Sequence, residues 1–213
     1  MNSENADIFR RGLVELGLTL DAERVERLVA YHDFVFARNA EMNLVGFKDE
    51  RDSVIKNLLN ALGPWRQVFP TKRTCDVGSG AGFPGIPLAV ALDMPEVTLV
   101  ESKAKKAKFL AEACDRFAPT VKVLNVNAAE MKERYRQIIF CAFGSLNKIV
   151  RMAEPMLSED GRILAYKGKR EAIDQEIAEC KARHKEWQIV PFKVPGLEAG
   201  TERHVCIYKS RHS

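Results

Sequence analysis

What this sequence lacks narrows it first. No stretch approaches the roughly 18 consecutive apolar residues that a membrane span requires. The opening MNSENADIFRRGLVEL carries acids rather than an apolar run, so a soluble, cytoplasmic protein is expected. The five cysteines (Cys75, Cys114, Cys141, Cys180 and Cys206) lie far apart, are odd in number and form no C-x-x-C pair. That pattern argues against a disulfide framework or a zinc knuckle and leaves them as small core residues in a reducing cytoplasm. An excess of one charge is also missing. The 33 Lys and Arg stand against 29 acids, a net +4. This permits a polyanionic partner but falls short of the charge density of a dedicated nucleic-acid binder. There is no internal repeat and no low-complexity tract.

What is present is ordinary for a globular chain, with 46% apolar and 29% charged residues in 213. The length suits one sizeable core with a modest appendage. From Asp21 to about Arg38, Val25, Leu28, Val29, His32, Val35 and Phe36 fall on one helical face. Val54, Ile55, Leu58, Leu59 and Leu62 form a second such face before Gly63 and Pro64 stop it. With a weaker helix near Ile8 to Leu16, residues 1–65 are expected to form an N-terminal helical lobe.

After Pro70 the texture changes. TCDV, VTLVE, VKVLNV, QIIFCAF, RILAYK, WQIVPFKV and HVCIYK read as seven strands. The stretches Ser102 to Phe117, Ser145 to Leu157 and Lys169 to His184 are long enough for crossover helices. A mostly parallel sheet covered on both faces follows. The last two strands are joined by PGLEAGTER without a helix, so the final strand should be antiparallel. Residues 66–213 are therefore expected to form one Rossmann-like α/β domain.

The informative loop is CDVGSGAGFPGIPL, directly after the first strand. In open parallel sheets ligands bind at this turn, where glycines let backbone approach closely and the following helix start offers free N–H groups. The dinucleotide fingerprint G-x-G-x-x-G fails, because its third slot after Gly78 and Gly80 is Phe83 and the third glycine is Gly82. The form D-x-G-x-G-x-G resembles motif I of the Rossmann-like S-adenosylmethionine methyltransferases. The second strand ends in Glu101, about 20 residues on, where an acid can accept both ribose hydroxyls of an adenosine. The same acid, with Ser102, would also suit the start of the helix SKAKKAKFL. Ala129 and Glu130, in NAAEM after the third strand, are candidates for the adenine side.

Two further absences bear on the acceptor. No Asn/Asp-Pro-Pro-aromatic clamp and no Pro-Cys nucleophile pair is present. A ring nitrogen such as guanine N7 already has a lone pair and needs only positioning, so N7, a hydroxyl or a small molecule remain as acceptors.

The whole string DVGSGAGFPGIPLAV followed by LVESKAKKAKFL resembles the small-subunit ribosomal RNA guanine-N7 methyltransferase family, also called glucose-inhibited division protein B. RNAEMNLVGF, AFGSLNKIV, LAYKG and ERHVCIYK extend the likeness over most of the chain. The resemblance implies S-adenosyl-L-methionine as cofactor and N7 methylation of one guanine in the 530 loop of 16S rRNA. The partner would be that rRNA or the small ribosomal subunit, and the protein is expected to act as a monomer. It also implies a cofactor site at Asp76, Gly78, Ser79, Gly80, Gly82, Phe83, Glu101, Ser102, Ala129 and Glu130. Lys167 and Arg203 match basic positions that would hold RNA backbone or target base. The lysines Lys103, Lys105, Lys106, Lys108 and Lys169, with Arg170, are candidate phosphate contacts or a solvated face. The likeness is interrupted at IKNLLNAL, Ala128 and Cys141, where the family usually carries an Arg-His-x-x-Asp-Ser segment and two arginines. A paralogue with another acceptor and a non-catalytic cofactor- or ribosome-binding module are the remaining alternatives.

Overall fold

The computed structural model describes residues 1–180 and 187–209. The N-terminal part is helical. α1 spans Ser3–Glu15, with Asn2 accepting the Asn5 amide, and α2 spans Ala22–Met42, with Asp21 accepting the Arg24 amide. These short polar side chains satisfy N–H groups that a helix start leaves orphaned. α2 runs four residues beyond the expected Arg38. It ends at Asn43 with φ 47, and the Asn39 side chain accepts the amides of Leu44 and Val45. The second apolar stretch is one continuous helical rod of mixed pitch: α3 (Glu50–Ser53), a π segment (Val54–Leu59) and α4 (Asn60–Leu62). Its apolar positions recur every four residues, so the wider π turn still buries Val54, Ile55, Leu58 and Leu59.

The remainder is one seven-stranded sheet in the order β3-β2-β1-β4-β5-β7-β6. The strands are β1 (Thr74–Val77), β2 (Val97–Val100), β3 (Lys122–Leu124), β4 (Tyr135–Cys141), β5 (Leu157–Lys167), β6 (Trp187–Pro191) and β7 (His204–Lys209). β1 to β5 pair in parallel, whereas β7 lies antiparallel between β5 and β6. The helices are α5 (Gly85–Leu92), α6 (Ala104–Phe117), α7 (Leu146–Ala153) and α8 (Arg170–Ala178).

Strand residues alternate between two apolar cores, as the two-residue period requires. Leu99, Ile139 and Leu164 face a core shared with α2, α4, α5 and α6. Val100, Ile138, Phe140 and Ile163 face a second core with α7 and α8. α2 packs against α5 and α6, and α4 against α5, so the N-terminal helices complete the first core.

Several expected boundaries move. α7 stops at Ala153 rather than Leu157, because Pro155 lacks an amide and Glu154–Met156 tightens to a 3-10 turn. β3 covers only Lys122–Leu124, since the Asn125 side chain donates to the carbonyls of Glu101 and Ser102 and turns the chain out of the ladder. Only the 3-10 turn Ala128–Glu130 separates it from β4. α6 begins at Ala104, with Lys103 at the cap position and no side-chain cap, so Ser102 does not open the helix as expected. α8 ends at Ala178; the last residues of the expected Lys169 to His184 helix, 181–184, and the end of the 66–213 span, 210–213, lie outside the described residues. Cys75, Cys114 and Cys206 are buried, Cys141 and Cys180 partly so, and all five are free thiols. Among the described residues no helix is long and apolar enough to cross a membrane.

Two packing details generate predictions. A Cβ on Gly85 would lie 2.4 Å from Leu99 Cδ2 and 2.7 Å from Asp76 Oδ2, so α5 touches the sheet where only glycine fits. Gly85→Ala should therefore lower stability by roughly 1–3 kcal/mol, read as a shift of the urea midpoint. His32 on α2 is fully buried and its Nε2 lies 3.0 Å from Ser53 Oγ. Burial lowers its pKa from 6.5, so the folded ring is neutral. The stability it contributes is full above the unfolded pKa and lost as the pH falls through it. Lowering the pH from about 7.5 to about 5.5 should depress the Tm of the wild type more than that of His32→Gln.

Candidate active site at the carboxyl edge of the sheet

Strand order reverses between β1 and β4, so the loops after β1, β2, β3, β4 and β5 gather along one edge, the position where open α/β sheets bind ligands. The loop after β1 is made of positive-φ glycines: Gly78 at 73°, Gly80 at 59° and Gly82 at 102°. Side chains are excluded at two of them on steric grounds as well. A Cβ on Gly78 would meet the Phe143 ring at 2.7 Å, and one on Gly82 would meet Ile86 at 2.6 Å and the Tyr31 hydroxyl at 2.9 Å. At Gly80 the one atom within 4 Å of such a Cβ among the described residues, its chain neighbours aside, is the Gly78 carbonyl oxygen at 3.9 Å. The space above Gly80 is open.

The loop is held from three sides. The amides of Gly78 and Ser79 donate to Val100 O, and the Ser79 hydroxyl donates to Asp76 O at 2.8 Å. Tyr31, reaching across from α2, donates to Ala81 O at 2.8 Å, and its ring stands 5.2 Å from that of Phe83. Beneath the loop, Asp76 is 1% exposed and its Oδ2 accepts the Gly85 amide at 3.0 Å. Burial raises the pKa of Asp76 to about 7, opposed by the bonds from Gly85 and Ser79.

Glu101, at the end of β2, is 7% exposed and does two things at once. Its Oε2 accepts the Gly80 amide at 3.1 Å and its Oε1 accepts the Lys103 amide at 2.8 Å. It therefore ties the loop to the start of α6. A carboxylate offers about four lone-pair sites, so acceptor capacity remains. Ser102 is exposed and gives only its carbonyl, to Asn125. Ala129 and Glu130 are exposed on the 3-10 turn after β3, where the Asn127 side chain accepts the Ala129 amide. Ala129 also lines a cavity of about 340 Å³ with Met131, Lys148, Arg151 and Met152.

The two basic candidates lie at neighbouring positions of the sheet, Lys167 pairing in register with His204, but their side chains have different surroundings. Lys167 has a side chain only 13% exposed and is engaged within the fold. Its ammonium donates to Glu176 at 2.7 Å and to Gly144 O at 2.5 Å, while Glu176 also accepts the Leu146 amide at 2.7 Å. Arg203, whose Nη1 donates to Glu202 O at 2.9 Å, lines a cleft of about 550 Å³ between the α3–π rod and the β6–β7 loop. Lys48, Arg51 and Lys56 share that cleft with Asp49, Asp52 and Glu198, and Lys56 pairs with Asp52 at 2.7 Å. Burial pushes the nearby Cys141 thiol up to about 12, against the pull of Arg203.

The lysine-rich start of α6 is partly structural too. Lys105 and Lys106 donate to Glu41 O and Leu44 O at the end of α2, where the helix dipole favours cations. Lys103 and Lys108 are exposed, as is Lys169, and Arg170 pairs with Asp174. Sequence reading missed Tyr31, Asn125, Phe143 and Glu176. The first and last sit mid-helix in ordinary amphipathic patterns. Asn125 and Phe143, polar and aromatic residues at strand ends, carried the only usable signal.

Comparison with known proteins bears on this edge. The GidB family, described as rRNA small subunit methyltransferase G, matches residues 24–206. Ribosomal RNA small subunit methyltransferase G of Nitrosococcus oceani (strain ATCC 19707) is 32% identical over 216 residues, covering 100% of this chain and 99% of the relative. That of Stenotrophomonas maltophilia (strain K279a) is 36% identical over 204 residues, covering 94% and 92%. Among solved structures, ribosomal protein L11 methylase from Lactobacillus delbrueckii subsp. bulgaricus superposes with a TM-score of 0.55 at 18% identity over 78% of this chain and 81% of that one. P. horikoshii TYW2 in complex with MeSAdo gives 0.57 at 14% identity over 79% and 66%. These likenesses place the fold among the class I methyltransferases, and the match over residues 24–206 places the chain in the rRNA small subunit methyltransferase G family.

Proposed function

We propose that this protein transfers the methyl group of S-adenosyl-L-methionine to N7 of a guanine in the 530 loop of 16S rRNA. The observation that carries this reading is the open space over Gly80 with the Glu101 carboxylate beside it. A ligand can lie against the Gly78–Gly82 backbone, and Glu101 keeps lone pairs for ribose hydroxyls after serving Gly80 and Lys103. The relatives' names supply the acceptor class, ribosomal RNA of the small subunit.

The residues assigned to the cofactor are Gly78, Ser79, Gly80, Gly82, Phe83, Glu101, Ser102, Ala129 and Glu130, with Asp76 behind them. When bound, S-adenosylmethionine supplies an electrophilic methyl on a sulfonium. The chain's own work is holding and orienting. Guanine N7 carries a free lone pair, so no general base has to take a proton before attack. Asp76 fits a supporting part, since it is sealed beneath the loop and its accessible partner is the Gly85 amide. Arg203, in the cleft with Lys48, Arg51 and Lys56, is assigned to the acceptor, where cations meet phosphates and fix register. Lys167 is assigned a positioning part, because its ammonium is already engaged by Glu176 and Gly144.

The test uses labelled S-adenosylmethionine and small ribosomal subunits from a strain lacking this modification, with the digested RNA analysed for 7-methylguanosine. Labelled 7-methylguanosine is the expected product. Label in another nucleoside would replace the acceptor, and bound cofactor with no label in RNA would leave a binding module. Arg203→Ala should lower kcat/KM for the subunits by about 10- to 100-fold, the worth of one charge-assisted contact, with cofactor affinity by calorimetry unchanged. Equal loss of both would remove Arg203 from the acceptor side.

A further inference from the structure

The turn after β4 holds an aromatic ring in a position that the cofactor residues do not use. Ala142 follows Cys141 with φ 54, and Gly144 has φ 94. The left-handed region crowds an alanine Cβ against the next carbonyl, and such a residue persists only where its surroundings over-determine it. Here they do. The Lys167 ammonium holds Gly144 O at 2.5 Å, and Glu176 grips both Lys167 and the Leu146 amide. The pinned turn brings Phe143 back against the loop after β1, where a Cβ on Gly78 would be 2.7 Å from the ring. Phe140 supports it with ring centroids 5.0 Å apart and planes tilted by 56°.

The ring is half-buried and packs against the second apolar core, and a cation also stands over it. The cation is the ammonium of Lys148, 5.2 Å from the centroid, at the end of an exposed side chain on α7. Such a cation over an aromatic face is held weakly at an exposed site and can be displaced.

Sidedness supplies the rest. β1 lies between β2 and β4, so the glycine loop separates Glu101 on one side from Phe143 on the other. A methyl donor whose ribose lies at Glu101 meets an acceptor arriving from the Phe143 side. We infer that Phe143 is the stacking platform for the acceptor base, and that Lys148 covers the ring until a base takes its place and then turns to that nucleotide's phosphate. This rests on the methyl-transfer reading above. A π face accepts any base, which suits positioning rather than sequence readout.

Three variants of the full chain test it. Phe143→Ala should raise KM for small subunits by about 10- to 100-fold with cofactor affinity unchanged, whereas Phe143→Tyr, which keeps the ring, should stay near wild type. The readout independent of turnover is Phe143→Trp. Its emission, after subtraction of the wild-type signal from Trp65 and Trp187, should be quenched by a guanosine-containing oligoribonucleotide. Quenching in a protein whose wild type makes no 7-methylguanosine would keep the platform and overturn the N7 reading. An unquenched Phe143→Trp overturns the platform. So does a Phe143→Ala that loses S-adenosylmethionine affinity together with RNA.

Discussion

The Gly85 amide and the buried Asp76 carboxylate, 3.0 Å apart, set how closely α5 lies on the sheet, and the loop between them inherits its shape from that distance. A helix seated this tightly leaves no room for Cβ atoms at Gly82 or Gly85, and the short connection from β1 forces three residues into positive φ. The carboxylate is kept at some cost. Burial lifts its pKa to about 7, so near neutrality the fold holds this group close to its titration point. A loop built from backbone presents amides and open space rather than side chains, and Gly80 is where the space remains.

Around this corner, polar groups at other chain ends do more than one job each. Glu101 closes the loop and the start of α6 with its two oxygens. Glu176 holds Lys167 and caps α7, which in turn fixes Gly144 and the turn bearing Phe143. Tyr31 brings the N-terminal helices into the same arrangement through Ala81. The α3–π rod meets the β6–β7 loop closely, with Ile55 2.9 Å from where a Gly196 Cβ would sit, and forms the wall opposite Arg203. The N-terminal helices thus build one side of the cleft at Arg203 as well as part of a core.

Much of the fold was legible because it follows from local period. Helical faces in α2 and in 54–62, β-branched runs for all seven strands, and the helix-free link before β7 each announce their element. The glycine loop after β1 was legible for the same reason, since glycine is the residue that positive φ and close approach select. Less legible was any side chain whose partner is distant in sequence. The α6 lysines illustrate this: Lys105 and Lys106 look like a solvated cationic run, and Lys105 is indeed exposed, but both also donate to carbonyls at the end of α2 more than sixty residues away. Lys167 looked free for the same reason, as its partner Glu176 sits on a helix face with no distinguishing pattern.

Taken alone, the sequence determined the order of elements, the parallel sheet with its antiparallel final strand, and the loop that must approach a ligand through backbone. These depend on residue-by-residue φ preference and on the alternation of apolar with polar positions. The tertiary structure alone decided which charges remain available. Pairing of Lys167, pinning of Lys105 and Lys106, the opening of the cleft at Arg203 and the swing of Phe143 over Gly78 are contacts between elements far apart in the chain. No local pattern encodes them, because each depends on how closely two separately formed elements pack.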